Sequence, residues 1–401
     1  MEKIYIAAAR RSAVGTLLGS LTNVAASDLG ATVVKTMLSD AGINVNIVDE
    51  VIVGNVLSAG MAQGCGRQVA IKSGISETVC AYSVNMICGS GLKAVLNAYN
   101  GISAGFSRVV IAGGTEVMSG APYLIPKNVR QGIKMGDIKV TDHMVLDGLT
   151  DAFSGVHMGI TAENIAAKYS ITRQEQDEFS YNSIQKAIKA VDGGVFDDEI
   201  VPIEVKNGKV VSTFCRDEHP NRKSTPEKLA SLRPSFKEDG TVTAGNASGL
   251  NDGAAFVVVA SQSAVEEFNL TPLCEIIGIG QGGVNPQYMG LGPVPAIKNA
   301  LKMSNLTLSD MEIIELNEAF AAQSLGVIKE LTEYYGIDKQ KLMSITNING
   351  GAIALGHPIG ASGARILVTL IYEMLKGDKK LGLASLCIGG GMGAAIVLKR
   401  I

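Results

Sequence analysis

Short apolar runs alternate with stretches of helical periodicity at both ends of the chain. Residues 4–9, 50–56 and 108–112 are largely apolar runs of strand length, which predicts three buried strands. Residues 27–39 place apolar side chains on one face, with Gly42 just past the end, as expected for a helix. Buried strands separated by helices predict an α/β fold with a mainly parallel sheet covered on both faces.

The stretch 83–95 is the most informative part of the chain. An apolar run ends at Cys88, and a helical pattern of apolar residues begins at Leu92. Cys88 is therefore expected on a tight turn before a helix N-terminus, where backbone N–H groups and the helix dipole would lower the pKa of the thiol. Gly89 and Gly91 are expected to leave room for a bulky substrate. The alternative is an inert buried thiol, the usual state of a free cysteine.

Composition and charge narrow the class of protein. With 401 residues, 46% hydrophobic content and a formal net charge of −3, the chain can form a large core and has no electrostatic reason to bind nucleic acid or an anionic membrane. No apolar run approaches the roughly 20 residues that span a bilayer, and the N-terminus lacks the pattern of a secretory signal. The scattered cysteines argue against a disulfide framework and a metal site, and predict a reducing, cytoplasmic setting.

A more polar segment, residues 120–240, is predicted to be an inserted loop domain. Within it, Thr172 and Glu175 form a capping-box pattern that opens a helix ending near Gly193. Residues 201–205 and 210–214 flank a Lys-Asn-Gly-Lys turn, which predicts a hairpin. The predicted organisation is an N-terminal half of residues 1–119 and 241–269, the insertion of residues 120–240, and a C-terminal half of residues 270–401.

The C-terminal half repeats features of the N-terminal half in the same order. Residues 310–316 before Asn317 correspond to 49–54 before Asn55, and 360–363 before a helix correspond to 88–91. Two halves of like topology would bring corresponding loops to one shared site. The glycines of residues 278–283 match a dinucleotide-binding pattern, but Pro286 stands where its helix should begin, so a nicotinamide cofactor is not expected.

Polar residues at the predicted strand ends form a candidate catalytic group. Asn317, His357 and Cys387 each follow an apolar run beside glycine, where loops of α/β folds build active sites. With Cys88 they offer a nucleophile, an imidazole base and a second thiol for a different proton. The glycines that begin at Gly389 expose backbone N–H groups that could form an oxyanion hole. Any one of these side chains alone is more often structural, so the hypothesis of a catalytic group requires that the two halves bring all of them to one site.

Four motifs together resemble those of the thiolase family: Cys88-Gly-Ser-Gly, Asn317-Glu-Ala-Phe, Gly-His357-Pro and Cys387-Ile-Gly-Gly-Gly. The resemblance covers essentially the whole chain, and His157 and Met289 resemble the short-chain, acetoacetyl-CoA branch. It implies two βαβαβαββ halves with mixed sheets in α/β/α/β/α layers, a loop domain for coenzyme A binding and oligomerisation, and usually a homotetramer. It also implies an acyltransferase of fatty acid metabolism that reversibly condenses two acetyl-CoA to acetoacetyl-CoA and CoA, with no metal or other cofactor.

The resemblance implies roles for individual residues. Cys88 would carry the acetyl group, His357 would activate it, and Cys387 would exchange the α-proton. Asn317 would hold a water that binds the enolate oxygen with His357, while the N–H groups of Cys88 and Gly389 would bind the acyl oxyanion. Substrate and coenzyme A would be bound, with Arg222 at the phosphates, by His157, Met158, Arg222, Ser248, Met289 and Phe320.

Other functions stay open on the sequence alone. A 3-ketoacyl-CoA thiolase of broader chain length would share these motifs. A decarboxylating, ketoacyl-synthase-like enzyme usually pairs its cysteine with two histidines, or with histidine and asparagine, and the thiol of Cys387 argues against it. A non-catalytic acyl-CoA carrier would not need all four polar groups. A thiol redox switch of Cys88 and Cys387 could coexist with catalysis.

Overall fold

The first part of the fold alternates strands and helices as the sequence predicts. A computed structural model describes residues 2–401, with the side chain of Asn207 outside the described part. The elements up to residue 119 are β1 (Ile4–Ser12), β2 (Gly15–Thr16), α1 (Ala26–Asp40), β3 (Glu50–Gly54), α2 (Cys65–Lys72), β4 (Cys80–Val84), α3 (Ser90–Ser103) and β5 (Val109–Val117).

The middle segment contains the predicted helix and hairpin. Its elements are β6 (Tyr123–Leu124), β7 (Thr141–Asp142), α4 (Met158–Tyr169), α5 (Arg173–Asp192), β8 (Ile200–Val201), β9 (Ile203–Asn207), β10 (Val210–Phe214) and α6 (Pro226–Ser231). The capping box of Thr172 and Glu175 opens α5, and β9 pairs antiparallel with β10. Both local predictions are confirmed.

The remaining elements complete the second half of the fold. They are β11 (Asn251–Ser261), α7 (Gln262–Glu267), β12 (Cys274–Gly283), α8 (Pro293–Ser304), β13 (Ile313–Leu316), α9 (Ala321–Tyr335), α10 (Lys339–Ser344), α11 (Ala352–Leu355), α12 (Ser362–Lys376), β14 (Leu381–Ile388) and β15 (Met392–Arg400). The glycines of the dinucleotide-like pattern lie inside β12. They allow α8 to pack closely, since a Cβ at Gly280 would lie 2.2 Å from the Ala296 carbonyl oxygen.

One continuous mixed sheet joins the two halves. Its strand order is β13-β14-β15-β12-β1-β11-β5-β3-β4, with β2 beside β11 and β8 beside β1. The prediction of a mainly parallel sheet is wrong. Parallel pairing joins β3 to β4 and β5, β13 to β14, and β1 to β8, whereas the strands from β14 to β5 pair antiparallel. Apolar runs indicate burial on both faces but carry no information about strand direction.

The predicted internal repeat is confirmed. In the first half β1, α1, β3, α2, β4, α3, β5 and β11 follow the βαβαβαββ order, and the second half runs from β12 to β15. The second half departs at the counterpart of β4, which is reduced to a single parallel bridge between Ile314 and Thr346. Helices α3 and α12 form the central layer, while α1 and α2 cover one outer face and α8 and α9 the other. The division into three domains stays a prediction.

Two strands run further than predicted. The strand β1 continues through Arg10 to Ser12, where the fully buried Arg11 pairs with Glu199 (2.6 Å) and Asp217 (2.8 Å). The strand β5 continues through Gly113 and Gly114 to Val117. Glycine is required inside it because a Cβ at Gly113 would lie 2.1 Å from the Ala255 carbonyl oxygen of β11. Glycine pairs therefore mark close packing here and not the end of a strand.

The helices of residues 2–401 include none that is both long and apolar enough to cross a membrane.

Candidate active site

The turn that carries Cys88 lies between β4 and α3, as the sequence predicts. Ser90 closes the turn, because its Oγ accepts a hydrogen bond from the Met86 N–H (2.8 Å) and donates one to the Ile87 carbonyl (2.7 Å). Ile87 has a left-handed backbone with φ of 47°. That conformation is unfavourable for a β-branched residue and is typical of constrained functional turns.

The prediction that the turn lowers the pKa of Cys88 is wrong. Burial raises the pKa of this thiol to about 11, against hydrogen bonds from the backbone N–H groups of Gly389 and Cys88 that lower it. The N-terminus of α3, which begins only at Ser90, lowers the pKa of Cys88 less than burial raises it, because desolvation of a thiolate is costly. Cys88 is therefore a neutral thiol at rest and needs a base to become a nucleophile.

Gly89 faces the protein interior and not a substrate, contrary to the prediction. A Cβ at Gly89 would lie 2.3 Å from Cδ1 of Ile388, at the end of β14. Gly91 likewise packs against the second half, next to α12. Both glycines serve the close approach of the two halves.

His357 lies on the loop before α12 and is held from two sides. Its backbone N–H donates to Oδ1 of Asn251 (2.9 Å), and its Nδ1 lies 2.6 Å from Oγ of Ser362. Its Nε2 is buried and has no hydrogen-bond partner among the residues that the structure describes. Burial, and then the charge of Arg365, lowers the pKa of the imidazole to about 4. His357 is therefore neutral at pH 7 and able to accept a proton.

Asn317 directly follows β13, and Cys387 is the last residue but one of β14, the neighbouring parallel strand. Burial, and then the nearby Cys88, raises the pKa of the Cys387 thiol far above its usual value. Asn317 is fully buried, and its backbone N–H donates to the Ser385 carbonyl (3.0 Å). Both polar atoms of its side-chain amide lack a partner within the described part of the chain. Buried amides are normally paired, so this is a place where a bound water is expected.

A cavity of about 340 Å³ receives reactive groups from both halves. Cys88 comes from the N-terminal half, and His357, Cys387 and Gly389 come from the C-terminal half. Other predicted residues in its mostly apolar wall are His157, Met158, Ser248, Met289 and Phe320. Volume and lining suit a small-molecule site. The structure thus brings together every predicted site residue other than Asn317 and Arg222.

The loop with Ser248 is fixed to the segment that follows Asn317. The Ser248 N–H donates to the Ala319 carbonyl, and the Ala321 N–H donates to the Asn246 carbonyl, both at 2.9 Å. This two-sided pairing places Ser248 beside Phe320 in the cavity wall. Two motifs that are some 70 residues apart in sequence therefore form one surface.

Sequence profiles of one family match nearly the whole chain. The profile described as "Thiolase, N-terminal domain" matches residues 4–263, and "Thiolase, C-terminal domain" matches residues 270–400. The chain belongs to the thiolase family.

Members of the thiolase family are similar to this chain from end to end. Acetyl-CoA acetyltransferase of Escherichia coli is 52% identical over 401 residues, and that of Cupriavidus necator is 50% identical over 402 residues, with 100% of each chain covered. The crystal structure of Bacillus anthracis acetyl-CoA acetyltransferase has a TM-score of 0.95 and 42% identity over 100% of this chain and 99% of that chain. Human mitochondrial 3-ketoacyl-CoA thiolase in complex with CoA has a TM-score of 0.93 and 43% identity over 100% and 98%.

Sequence reasoning missed Phe236 in this thiolase-family site. Its ring stacks on His157, with centroids 4.6 Å apart, and meets Phe320 edge to face at 6.2 Å. Phe236 lies in a loop without periodicity, so no pattern points to it. The one sequence feature connected with it is Gly159, because a Cβ at that position would lie 2.2 Å from the Phe236 ring, so only glycine leaves room for the aromatic side chain.

Glu116, on β5, is a second residue that the sequence motifs do not reveal. Its carboxylate accepts hydrogen bonds from the N–H groups of Val56 (2.9 Å), Leu57 (3.2 Å) and Gly360 (3.0 Å) and from Nδ2 of Asn55 (3.0 Å). Burial raises the pKa of Glu116 to about 7, against the three backbone N–H groups that lower it. Glu116 thereby ties the loop after β3 to the loop that carries His357.

Arg222 lies in a neighbouring surface depression. It shares that depression with Lys223 and Lys228, and Ala244 lines both the depression and the Cys88 cavity. The guanidinium of Arg222 pairs with both carboxylate oxygens of Asp192, at 2.6 and 2.7 Å. Contact between Arg222 and coenzyme A phosphates stays a prediction.

The cysteines and acidic residues form neither a disulfide pair nor a metal cluster in the described residues. All six cysteines are free thiols. Among residues 2–401, no group of three or more His, Cys, Asp and Glu side chains is arranged to hold a metal ion.

Proposed function

We propose that this protein is an acetyl-CoA acetyltransferase, which reversibly condenses two acetyl-CoA to acetoacetyl-CoA and CoA. The observation that carries the proposal is the meeting of Cys88, His357 and Cys387 at one apolar cavity. Two curated relatives that are at least 50% identical over their whole length are named for this activity, which supports it. A hydrolase or a carrier would not need a second buried thiol beside the first.

Acylation starts from a neutral Cys88 and a neutral His357. Nε2 of His357 takes the proton of Cys88 while the sulfur attacks the thioester carbon of acetyl-CoA. The backbone N–H groups of Cys88 and Gly389, which oppose the effect of burial on the pKa of the Cys88 thiol, would bind the oxyanion. The bond between carbon and the CoA sulfur then breaks, and the leaving thiolate takes a proton from Cys387. The products are acetyl-Cys88, the His357 imidazolium, the Cys387 thiolate and free CoA.

Condensation uses the charges that acylation leaves behind. Burial keeps Cys387 protonated at rest, so it can act as a base only after it has protonated the leaving CoA. The imidazolium of His357 favours the thiolate by charge attraction. Cys387 then removes an α-proton from the second acetyl-CoA, while His357 and a water on Asn317 bind the enolate oxygen. The enolate attacks acetyl-Cys88, and the departing Cys88 thiolate recovers its proton from His357.

The rest of the site would bind the coenzyme A part of the substrates. His157, Met158, Ser248, Met289 and Phe320 would line the path of the pantetheine arm, since they share the cavity with Cys88. Arg222 and the two lysines of the adjacent depression would meet the phosphates. The scheme requires coenzyme A thioesters as substrates and no further cofactor.

We also propose a homotetramer. Residues 123–153 expose an unusual amount of apolar surface, with Tyr123 at 68%, Met135 at 94% and Phe153 at 76% exposure. Apolar patches of this kind commonly mark protein interfaces. Light scattering should give about four times the chain mass of 41.8 kDa. A cytoplasmic location and a place in fatty acid metabolism stay predictions.

The test separates the two cysteines. After brief mixing with acetyl-CoA, peptide mapping should find the acetyl group on Cys88. Cys387→Ala should still be acetylated but should lose condensation and the exchange of α-hydrogens of acetyl-CoA with solvent deuterium. Cys88→Ala should lose acetylation and condensation together. A Cys387→Ala protein that condenses acetyl-CoA at an unchanged rate would show the proposed mechanism to be wrong, and condensation that requires malonyl-CoA would favour a decarboxylating enzyme.

A further inference from the structure

A buried serine contacts the back of the proposed base. Ser362 is the first residue of α12 and is 1% exposed. Its Oγ lies 2.6 Å from Nδ1 of His357 and donates a hydrogen bond to the carbonyl oxygen of Pro358 (2.9 Å). The second ring nitrogen of the same imidazole, Nε2, is buried without a partner in the described residues, and His357 lines the cavity with Cys88.

These contacts assign the protons of the pair. A serine hydroxyl has one hydrogen, whereas a carbonyl oxygen can only accept. If that hydrogen goes to the Pro358 carbonyl, Ser362 must accept from His357, so Nδ1 carries the imidazole proton. A neutral imidazole with a proton on Nδ1 has its lone pair on Nε2. We propose that Ser362 is a positioning residue that fixes the tautomer of His357, so that Nε2 is the free base.

The internal repeat supplies an independent reason for this assignment. Ser90 occupies the corresponding place in the first half, because the motif of residues 88–91 corresponds to residues 360–363. Its Oγ accepts from the Met86 N–H (2.8 Å) and donates to the Ile87 carbonyl (2.7 Å). A backbone N–H can only donate, so the direction is fixed there. Ser362 repeats the arrangement, with the imidazole Nδ1–H in place of the backbone N–H.

The serine therefore acts through His357 and not on the substrate. The backbone of His357 is fixed separately, by its N–H bond to Asn251. Loss of the Ser362 hydroxyl would leave Nδ1–H as a buried donor without its acceptor, which is unfavourable. The ring would then carry its proton on Nε2, and this nitrogen could no longer accept the proton of Cys88. The inference rests on the proposed function, because it assumes that His357 deprotonates Cys88.

The test combines kinetics with a direct measurement of the tautomer. Ser362→Ala should slow acetylation of Cys88 in single turnover by roughly 10- to 100-fold, which is less than the full contribution of a general base because the imidazole is still present. Ser362→Thr, which keeps the hydroxyl, should recover most of the rate. The matched control is Ser180→Ala on α5, since Ser180 is fully buried and donates to a carbonyl four residues earlier, that of Gln176 (2.8 Å), as Ser362 does to Pro358. This control should acetylate at the wild-type rate.

The ¹⁵N NMR spectrum of histidine-labelled protein reports the tautomer without any turnover. The His357 signals, identified by their loss in His357→Asn, should show a protonated Nδ1 and an unprotonated Nε2 in the wild type, and a protonated Nε2 in Ser362→Ala. A wild-type spectrum with the proton on Nε2 overturns the inference, as does a Ser362→Ala protein with unchanged tautomer and unchanged acetylation rate. If the proposed function fails instead, wild-type protein is not acetylated, while the tautomer measurement still decides the role of Ser362.

Discussion

Gly91 and Gly363 lie at one crossing, where the first turns of α3 and α12 touch. A Cβ at Gly91 would lie 2.9 Å from the backbone nitrogen of Ala364, and a Cβ at Gly363 would lie 2.6 Å from the backbone nitrogen of Leu92. Real Cβ atoms do not approach backbone so closely, so a larger residue at either position must push the helices apart. The crossing keeps the Cys88 turn of one half beside the His357 loop of the other.

Gly363→Ala should therefore destabilise the fold and slow the acetylation of Cys88. Overpacking at such a contact costs about 1–3 kcal/mol of unfolding free energy. Gly101→Ala on α3 is the matched control, because a Cβ at that position would meet no heavy atom within 4 Å among the described residues, apart from its chain neighbours and the backbone of its own helix. That variant should gain up to about 1 kcal/mol, as alanine favours helix over glycine. Denaturant unfolding of both variants checks the prediction, and a Gly363→Ala protein as stable as the wild type would contradict it.

The pH dependence of acetylation should reflect a base with a low pKa. Since burial lowers the pKa of His357 to about 4, the imidazole stays neutral and the wild-type rate should change little between pH 5 and pH 8. His357→Asn should be at least roughly 100-fold slower at pH 7. Its residual rate should rise about tenfold per pH unit from pH 7 to pH 9, because only the thiolate of Cys88 then attacks and the pKa of that thiol is about 11. A wild-type inflection near pH 6.5 would be inconsistent with this.

The stability of the fold should also depend on the ionisation of His357. A surface histidine with a carboxylate partner stabilises the fold less as pH rises, whereas His357 should stabilise it less as pH falls. The pKa of His357 is about 4 in the folded protein and about 6.5 when unfolded, so the unfolded chain binds more protons between these values. Stability from this group is complete above pH 6.5 and is lost as pH falls towards 4. Between pH 7 and pH 5 the loss is about 2 kcal/mol. Denaturant unfolding at both pH values should show a loss that is larger in the wild type than in His357→Asn by this amount, and equal losses would refute the prediction.

Glu116→Gln should weaken the tie between the two loops of the site. Glutamine has one acceptor oxygen, so two of the four N–H donors around Glu116 would face its NH₂ group. Buried donors left unpaired cost about 1–3 kcal/mol, and the shifted Gly360 loop should slow acetylation. Glu267→Gln is the control, since its exposed carboxylate makes a surface ion pair with Arg108 (2.6 Å), and exposed ion pairs contribute little to stability. Thermal melting should give a lower melting temperature for Glu116→Gln than for Glu267→Gln, and the reverse order would contradict the role of Glu116 in joining the two loops.

Local patterns in the sequence were sufficient to predict those features of the fold and of the site that depend on residues close together in sequence. The turn before α3, the capping box at Thr172 and the repeat of the Cys88 motif at residues 360–363 all follow from spacing within a few residues. The pKa of Cys88 does not, because it depends on burial by elements far away in sequence. Phe236 and Glu116 were missed for the same reason, since each acts through contacts with distant segments.

Arg222→Gln should raise KM for acetyl-CoA by roughly tenfold, the value of one charge-assisted hydrogen bond, and leave kcat unchanged. The reason is position, because Arg222 lines the cationic depression beside the cavity and touches none of the reacting groups there. S-acetylpantetheine lacks the phosphates, so its KM should be the same for variant and wild type. Arg216→Gln is the matched control, since Arg216 also pairs with Asp192 (2.6 Å) but lies outside that depression. Steady-state kinetics with both substrates decide the matter: an equal rise in KM for acetyl-CoA and S-acetylpantetheine would mean that Arg222 supports the fold of the loop and does not bind phosphate.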